Sequence, residues 1–599
     1  MKSKTSFFNC GLFKSNLKRF WPVFAVYFAV LLLCMPMDMH SYSVDGAAVA
    51  FTVRDYIEDL AYFINPLMAL AVGMCVFGFM FNQRSCGMIA SLPVKRGSVF
   101  ATALISGIVP VLVINLVIAL ISAIPLISSP DDFGIKALVI WFAVTSMQYV
   151  FFFGFAAIVA VITGNVVAFP VFYVIFNFLA VGIESAVREI LHVFVFGFTN
   201  NGNAIVAEAL SPIVKLAGLG GFATRNEYVG EYAKLVSFRF TEWGINLIYF
   251  GVGIAFMVLA ILIYRRRKME NCGDVVAIPA LRSVFRWGVA ICFALCGAVL
   301  LGSIFDSGSA VSYMIYMAIG AFAGWFGAGM LLDKSLRVFR SNWGGFIIIL
   351  VLCAAFIAGS VFDVFGVGDT PDAEKIENIS IDAFSDSPLM LTDEDSINAV
   401  IDLNESILKN KDEHLNADWG YVFYVGISYF LDNGQRIYRE YPVSTFSADF
   451  DEFLDVIMCD EAKEFYTTPD VPVIPENIEY KTFSAYDYAN DESISLELTG
   501  EQAADFFLNA YTPDVMAGYY FGTSMIVLNH NPPEFYTEHA YIEIQFINSE
   551  NGSDDAGGHM FFCCIITPGC ENSIQWVKDN LGIDLEEIYA STGIWMQNN

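Results

Sequence analysis

Residues 244–268 read GINLIYFGVGIAFMVLAILIYRRRK. The first twenty-one are uncharged and mostly apolar, and the last four are all basic. A helix rises about 1.5 Å per residue and needs roughly 20 such residues to cross the hydrocarbon core of a bilayer. Lys and Arg are retained on the cytoplasmic side, so Arg265, Arg266, Arg267 and Lys268 label the end at which this run leaves the membrane. The stretch reads as a membrane span with its exit marked, and the rest of the chain can be sorted by the same two signals.

Further apolar runs lie at 21–37, 61–81, 99–126, 287–305, 310–332 and 343–362. Residues 137–183 are uncharged throughout, too long for one span, and Thr163-Gly164-Asn165 splits them into two. Together with 244–264 the expectation is about nine transmembrane helices. With the N-terminus inside, the inner segments hold 17 Lys and Arg and the outer segments between spans hold 7. The positive-inside rule therefore predicts a cytoplasmic N-terminus, and nine spans predict an extracellular C-terminal region. A cleaved leader is a poorer reading of the first run, because Met35-Pro36-Met37-Asp38 offers no small-residue cleavage site. The residue before Cys34 is Leu, which argues against a lipoprotein signal.

Composition agrees with a chain of two unlike halves. The 599 residues carry a net charge of −30, yet 56% are hydrophobic and only 16% are charged. An acidic soluble globule carries a larger charged fraction, disorder needs low hydrophobicity, and a nucleic-acid binder needs the opposite sign. Of the 62 acids, 44 lie in residues 366–599 beside 8 of the 32 bases, which puts that segment at −36 and the first 365 residues at +6. The fold class expected is a polytopic α-helical membrane protein with a C-terminal soluble α+β domain.

Between the second and third spans stands Asn82-Gln83-Arg84-Ser85-Cys86-Gly87-Met88-Ile89-Ala90-Ser91-Leu92-Pro93-Val94-Lys95-Arg96. Met88, Ile89 and Leu92 give a short helix one apolar face, and Pro93 fixes the turn that follows. A membrane unit driven by a cytoplasmic motor needs a rigid projection of this sort, whereas Arg84, Lys95 and Arg96 by themselves fit an ordinary inner loop facing anionic lipid. Residues 7–20 alternate Phe7, Phe8, Leu12, Phe13, Leu17 and Phe20 with Lys14, Lys18 and Arg19, the pattern of a helix lying on the inner leaflet. The outer segment after the fifth span contains Leu210-Ser211-Pro212.

In these features residues 1–268 resemble the permease subunits of ABC transporters of the ABC-2 export type, of the kind found in Firmicutes. The resemblance covers about 45% of the chain and rests on the combination of degenerate motifs. It implies an N-terminal elbow helix at 7–20, a first cytoplasmic loop at 82–96 that docks on an ATPase, and an extracellular re-entry at Leu210-Ser211-Pro212. The implied domains are a six-span permease unit at 1–268, three additional spans within 269–365, and an acidic outer domain at 366–599.

The nearest string to a phosphate-binding loop, Gly329-Met330-Leu331-Leu332-Asp333-Lys334-Ser335, lacks the second glycine and overlaps a span. No cofactor is expected in this chain. The implied partners are a separate ATP-binding subunit that binds ATP, a second permease copy or a related permease, and the lipid bilayer, with no nucleic acid. Polar residues within spans mark pathways or interhelical hydrogen bonds. The candidates are Asn65, Asn115, Gln148, Asn177 and Glu184, the last standing near an outer mouth.

Residues 366–599 contain no run long enough to span and read as two β-α-β-β-α lobes, at about 370–470 and 475–585. Asp432-Asn433-Gly434 is a strong hairpin turn within the first. His530 and His539 with Glu534 and Glu538 are the nearest approach to a metal set, but Pro532-Pro533 forbids a helical ligand spacing. No nucleophile elbow occurs, so no catalytic residue is assigned. The function expected is a membrane permease subunit in the plasma membrane, an exporter rather than an enzyme. The alternative is a sensor or ligand-capture protein whose acidic outer domain binds a cationic peptide, antibiotic or envelope component.

Overall fold

In a computed structural model of the chain, the residues described are 8–41, 46–91, 93–128, 132–199, 205–217, 221–229, 232–305, 308–340, 343–382, 389–417, 422–469, 472–487, 492–518, 540–547, 559–566 and 569–591. They divide into two compact units, Met1–Ile190 with Ala204–Ala358 and Leu191–Asn203 with Gly359–Asn599.

The first unit is helical. Its elements are α1 (Cys10–Ser41), α2 (Gly46–Asp55), α3 (Tyr62–Phe77), α4 (Gln83–Ala90), α5 (Arg96–Ala123), α6 (Phe133–Ile162), α7 (Ala168–Phe194), which runs on into the second unit, the short α8 (Ile205–Leu210) and α9 (Pro212–Ala217), a hairpin of β1 (Phe222–Val229) and β2 (Tyr232–Phe240), then α10 (Trp243–Arg266), α11 (Pro279–Phe305), α12 (Ala310–Asp333) and α13 (Trp343–Val361). Among the described residues nine of these helices are long and apolar enough to cross a membrane. Their outward faces carry exposed large apolar side chains, such as Val113 and Leu120 on α5 or Ile248 and Val258 on α10. A soluble bundle would place polar residues there, so these faces are suited to lipid.

Close helix approach is set by glycine. Gly154 on α6 meets the Gly253 carbonyl of α10, leaving no space for a Cβ on either. Gly320 and Gly324 on α12, one helical turn apart, lie against the backbone of α11 at Phe293 and Ala290. Such small-xxx-small faces allow van der Waals contact between backbones where lipid provides no hydrophobic drive for association.

Two local expectations change. The amphipathic stretch at 7–20 is no separate element, because α1 runs unbroken from Cys10 to Ser41 with Pro22 inside it. The break at Thr163-Gly164-Asn165 is present and has a tertiary cause. The Gly164 amide donates to the Asp274 carbonyl at 2.9 Å, and the Gly273 amide donates to the Gly164 carbonyl at 2.6 Å. A side chain at 164 would strike the carbonyls of Asn271 and Asp274.

The second unit contains two antiparallel sheets. The first is built from β3 (Ile376–Asp382), β4 (Leu389–Leu391), β5 (Val422–Leu431) and β6 (Arg436–Ser444), with helices α14 (Glu394–Lys409), α15 (Lys411–Leu415), α16 (Ala448–Ile457) and α17 (Asp460–Thr467). The second uses β7 (Ile478–Asp487), β8 (Glu492–Glu497), β9 (Ala540–Ile547) and β10 (His559–Ile566), with α18 (Gly500–Phe506), α19 (Thr512–Met516) and the helix Glu571–Leu581. Strand orders are β4-β3-β5-β6 and β8-β7-β9-β10, the same order in each. Both sheets shift register at the matching place, between Ile376 and Asn378 and between Ile478 and Tyr480. The expected β-α-β-β-α order is corrected by one short strand per sheet, so that each reads β-β-α-β-β-α. The three-residue β4 is too short to give a periodicity, and β8, Glu-Ser-Ile-Ser-Leu-Glu, alternates but is flanked by acids. One apolar core, including Ile379, Ile427, Phe453, Phe483, Phe507 and Ile544, serves both sheets.

Candidate functional site

The segment that sequence singles out, 82–96, forms a short helix and turn leading into α5. Asn82 caps α4, its side chain accepting the Arg84 amide at 2.9 Å. One side of α4 is buried through Cys86, while Arg84 and Met88 face outward, Met88 being 62% exposed. Ile89 is half-buried, and Pro93, Lys95 and Arg96 are exposed. Leu92 lies outside the described residues.

Beneath α4 the chain converges. The Gln83 side chain donates to the Cys272 carbonyl at 3.4 Å, and the Cys86 and Cys272 sulfurs are 3.0 Å apart. Arg96 donates to the Arg267 carbonyl at 3.4 Å. Arg267 is 5% exposed, and its guanidinium donates to the carbonyls of Ala160 and Val161, both at 3.1 Å, and of Met80 at 3.4 Å. Those carbonyls close the last turns of α6 and of the segment following α3. Helix C-termini leave carbonyls unpaired and carry partial negative charge, which suits a buried cation. The basic cluster after α10 thus has one member turned inward as a plug, while Arg265, Arg266 and Lys268 remain exposed. Arg282 and Lys334 both pair with Asp274, each at 2.7 Å, extending the junction to α11 and to the end of α12.

Deeper in the bundle the candidate amides are brought together. The Asn65 side chain donates to Gln148 at 3.0 Å, and Gln148 donates to Asn246 at 3.3 Å, linking α3, α6 and α10. Asn246 in turn donates to the Glu242 carbonyl at 3.0 Å. Asn115 accepts from Tyr27 at 2.9 Å and donates to Ser146 at 3.4 Å, linking α1, α5 and α6. Asn177 stays within its own helix, donating to the Tyr173 carbonyl at 2.7 Å. Glu184 is half-buried and accepts from Arg188 at 2.8 Å one turn along α7. It is joined to none of the buried amides.

In the second unit, His414 and Asp449 are buried and 2.8 Å apart. The other ring nitrogen, Nδ1, accepts the Ser444 amide at 3.2 Å, so Nε2 carries the proton and donates to Asp449. Asp449 also accepts from Ser406 and Asn410. With both nitrogens engaged, the imidazole serves to hold α15 against α16 and β6. The histidines and glutamates weighed as metal ligands at 530–539 lie outside the described residues.

Sequence reasoning missed three participants. Arg267 stands in the sequence only as one of a basic cluster, and nothing in the sequence singles out Cys272. The third is the segment after α7, which belongs to the second unit: the Gly197 carbonyl accepts the Glu440 amide at 3.1 Å and Phe198 bridges Arg439 on the edge of β6. Gly197 has φ +76° and abuts the Tyr441 ring. Phe196-Gly197-Phe198 is a weak strand signal, and nothing in the sequence names its partner. The chain matches no family model, no curated protein and no solved structure.

Proposed function

We propose that the chain is the membrane permease subunit of an ATP-binding-cassette exporter, energised by a separate ATP-binding subunit that docks on α4 and its flanking turn. The observation that carries this reading is the α4 junction. A short helix with an outward Met88 and Arg84 packs on the turns Gly78–Met80 and Met269–Asn271, next to a buried Arg267 that ties the segment after α3 to the ends of α6 and α10. A push on α4 would be transmitted to three spans at once, since packed elements carry strain rather than absorb it. The amide chain Asn65–Gln148–Asn246 crosses those same three helices and would be remade when they move. ATP chemistry belongs to the partner in this reading, and a second permease copy completes the pathway.

The proposed orientation places α4, the α6–α7 turn and residues 267–277 in the cytoplasm, and the acidic unit outside. The membership of residues 191–199 in the acidic unit supports its parity, with those residues and the segment after α13 on one side. Four long helices, α10 to α13, separate those residues from Gly359, and an even number of crossings returns a chain to the side it left.

Affinity purification of the full chain from its native membrane tests the reading. An ATP-binding subunit is expected to co-purify, and the double variant Arg84→Glu with Met88→Asp to lose it while retaining wild-type thermal stability. A chain that purifies without any nucleotide-binding partner overturns the proposal. A second reading, ligand capture by the acidic unit, is favoured by the way Gly197 and Phe198, which follow α7, pair with the edge of that unit's first sheet. It predicts salt-dependent binding of a cationic peptide to the full chain.

A further inference from the structure

Cys34, Cys75 and Cys353 of the helical unit sit within long helices, where the thiol acts as a small apolar group. Cys86 and Cys272 differ. They come from segments 186 residues apart, both are 3% exposed, and their sulfurs are in direct contact at 3.0 Å. A covalent S–S bond is roughly 2.05 Å, so about 1 Å of closure separates this contact from a bond. The backbone on both sides is held, on one by the Asn82 cap of α4 and on the other by the pairing of Gly273 and Asp274 with Gly164.

We propose that Cys86 and Cys272 are a disulfide-forming pair which, when oxidised, staples α4 to the loop after α10. The oxidant is a small-molecule disulfide such as glutathione disulfide. One cysteine, as thiolate, attacks it, which breaks its S–S bond, forms a mixed disulfide and releases one small thiol. The second cysteine, as thiolate, then attacks the protein sulfur of that mixed disulfide, forming the Cys86–Cys272 bond and releasing the second small thiol. Two electrons and the two thiol protons end on the two released thiols.

The pair is protected while α4 is seated. Burial, and after it the neighbouring Cys272, pushes the Cys86 thiol up to about 12, with Arg267 and Arg96 opposing. Thiolate is scarce there and an oxidant cannot enter, so exchange requires α4 to lift from the loop. Oxidation therefore records excursions of α4, and the bond once formed ends them. The consequence for a docked motor rests on the permease reading; the bond itself does not.

The test uses the full chain in detergent, treated with glutathione disulfide, alkylated, digested and mapped by mass spectrometry. The expected result is a peptide cross-linked through Cys86 and Cys272, with alkylation of both falling together by on the order of tenfold, while the exposed Cys10 and Cys296 form no such link. Cys86→Ser should leave Cys272 as a reductant-sensitive glutathione adduct without cross-link. Independent alkylation of Cys86 and Cys272 in the wild-type chain, with no cross-linked peptide even under copper–phenanthroline, overturns the proposal, and this readout needs no variant to fold. A cross-link that forms but leaves capture of the ATP-binding subunit unchanged upholds the thiol pair and counts against α4 as the docking element.

Discussion

Arg267 is a cation removed from water with no carboxylate among its hydrogen-bond partners; backbone carbonyls from two helix ends satisfy it instead. Hydrogen bonds to a charged group each contribute about 1.5–3 kcal/mol, and an unpaired buried carbonyl costs about as much. Arg267→Met is therefore expected to destabilise the helical unit by on the order of 3 kcal/mol, read as a lower thermal midpoint in detergent. Arg267→Lys, which keeps the charge but not the planar fork, should fall between. An unchanged midpoint for the methionine variant would mean that the three carbonyls find other partners. Gly197 illustrates the same scale in the second unit, since a left-handed φ and the face of Tyr441 together admit no side chain.

At the scale of elements, α14 and α17 are tied through a single carboxylate. Glu461 accepts from the Thr392 amide at 2.6 Å, the Thr392 hydroxyl at 2.8 Å and the Asp393 amide at 3.1 Å, where Asp393 is the residue that opens α14. Partial burial raises the Glu461 carboxyl, but these hydrogen bonds outweigh it and the net value lies below the ordinary 4.5. A depressed carboxylate adds stability that is fully present above its unfolded value and lost as pH falls through the folded one. Hydrogen exchange at Thr392 and Asp393, corrected for intrinsic rates, should thus stay protected above pH 4.5 and lose protection below it. Glu461→Ala should remove the pH dependence along with the protection; a wild-type profile in that variant would place the protection elsewhere. These ties could not be read from sequence, because an acid in a segment of 44 acids has nothing to distinguish it until its partners are placed.

For the whole molecule, the opposition of charge is the feature with the largest consequence. The 17 Lys and Arg of the inner segments against 7 in the outer ones predict that the acidic unit, which follows the ninth span, faces away from the cytoplasm, as the proposed topology requires. In intact cells a membrane-impermeant maleimide is expected to label Asn433→Cys, in the exposed turn between β5 and β6, and to label Arg266→Cys only after permeabilisation. The reverse pattern would invert the topology and remove α4 from reach of any cytoplasmic ATPase.

Hydropathy and charge by themselves determined the nine long helices found among the described residues, the β5–β6 turn at Asn433-Gly434 and most of the element order of the acidic segment. Each of these is a local property, written in runs, periods and turn residues that need no distant partner. What only the tertiary structure decided is which residues meet. Asn246 joined to Gln148, Arg267 set against three carbonyls, Cys86 touching Cys272, and the chain after α7 added to the edge of β6 are contacts between segments 98 to 241 residues apart. Chain separation of that length leaves no imprint on local pattern, so the candidate site emerged from packing, whereas the elements that build it were already legible.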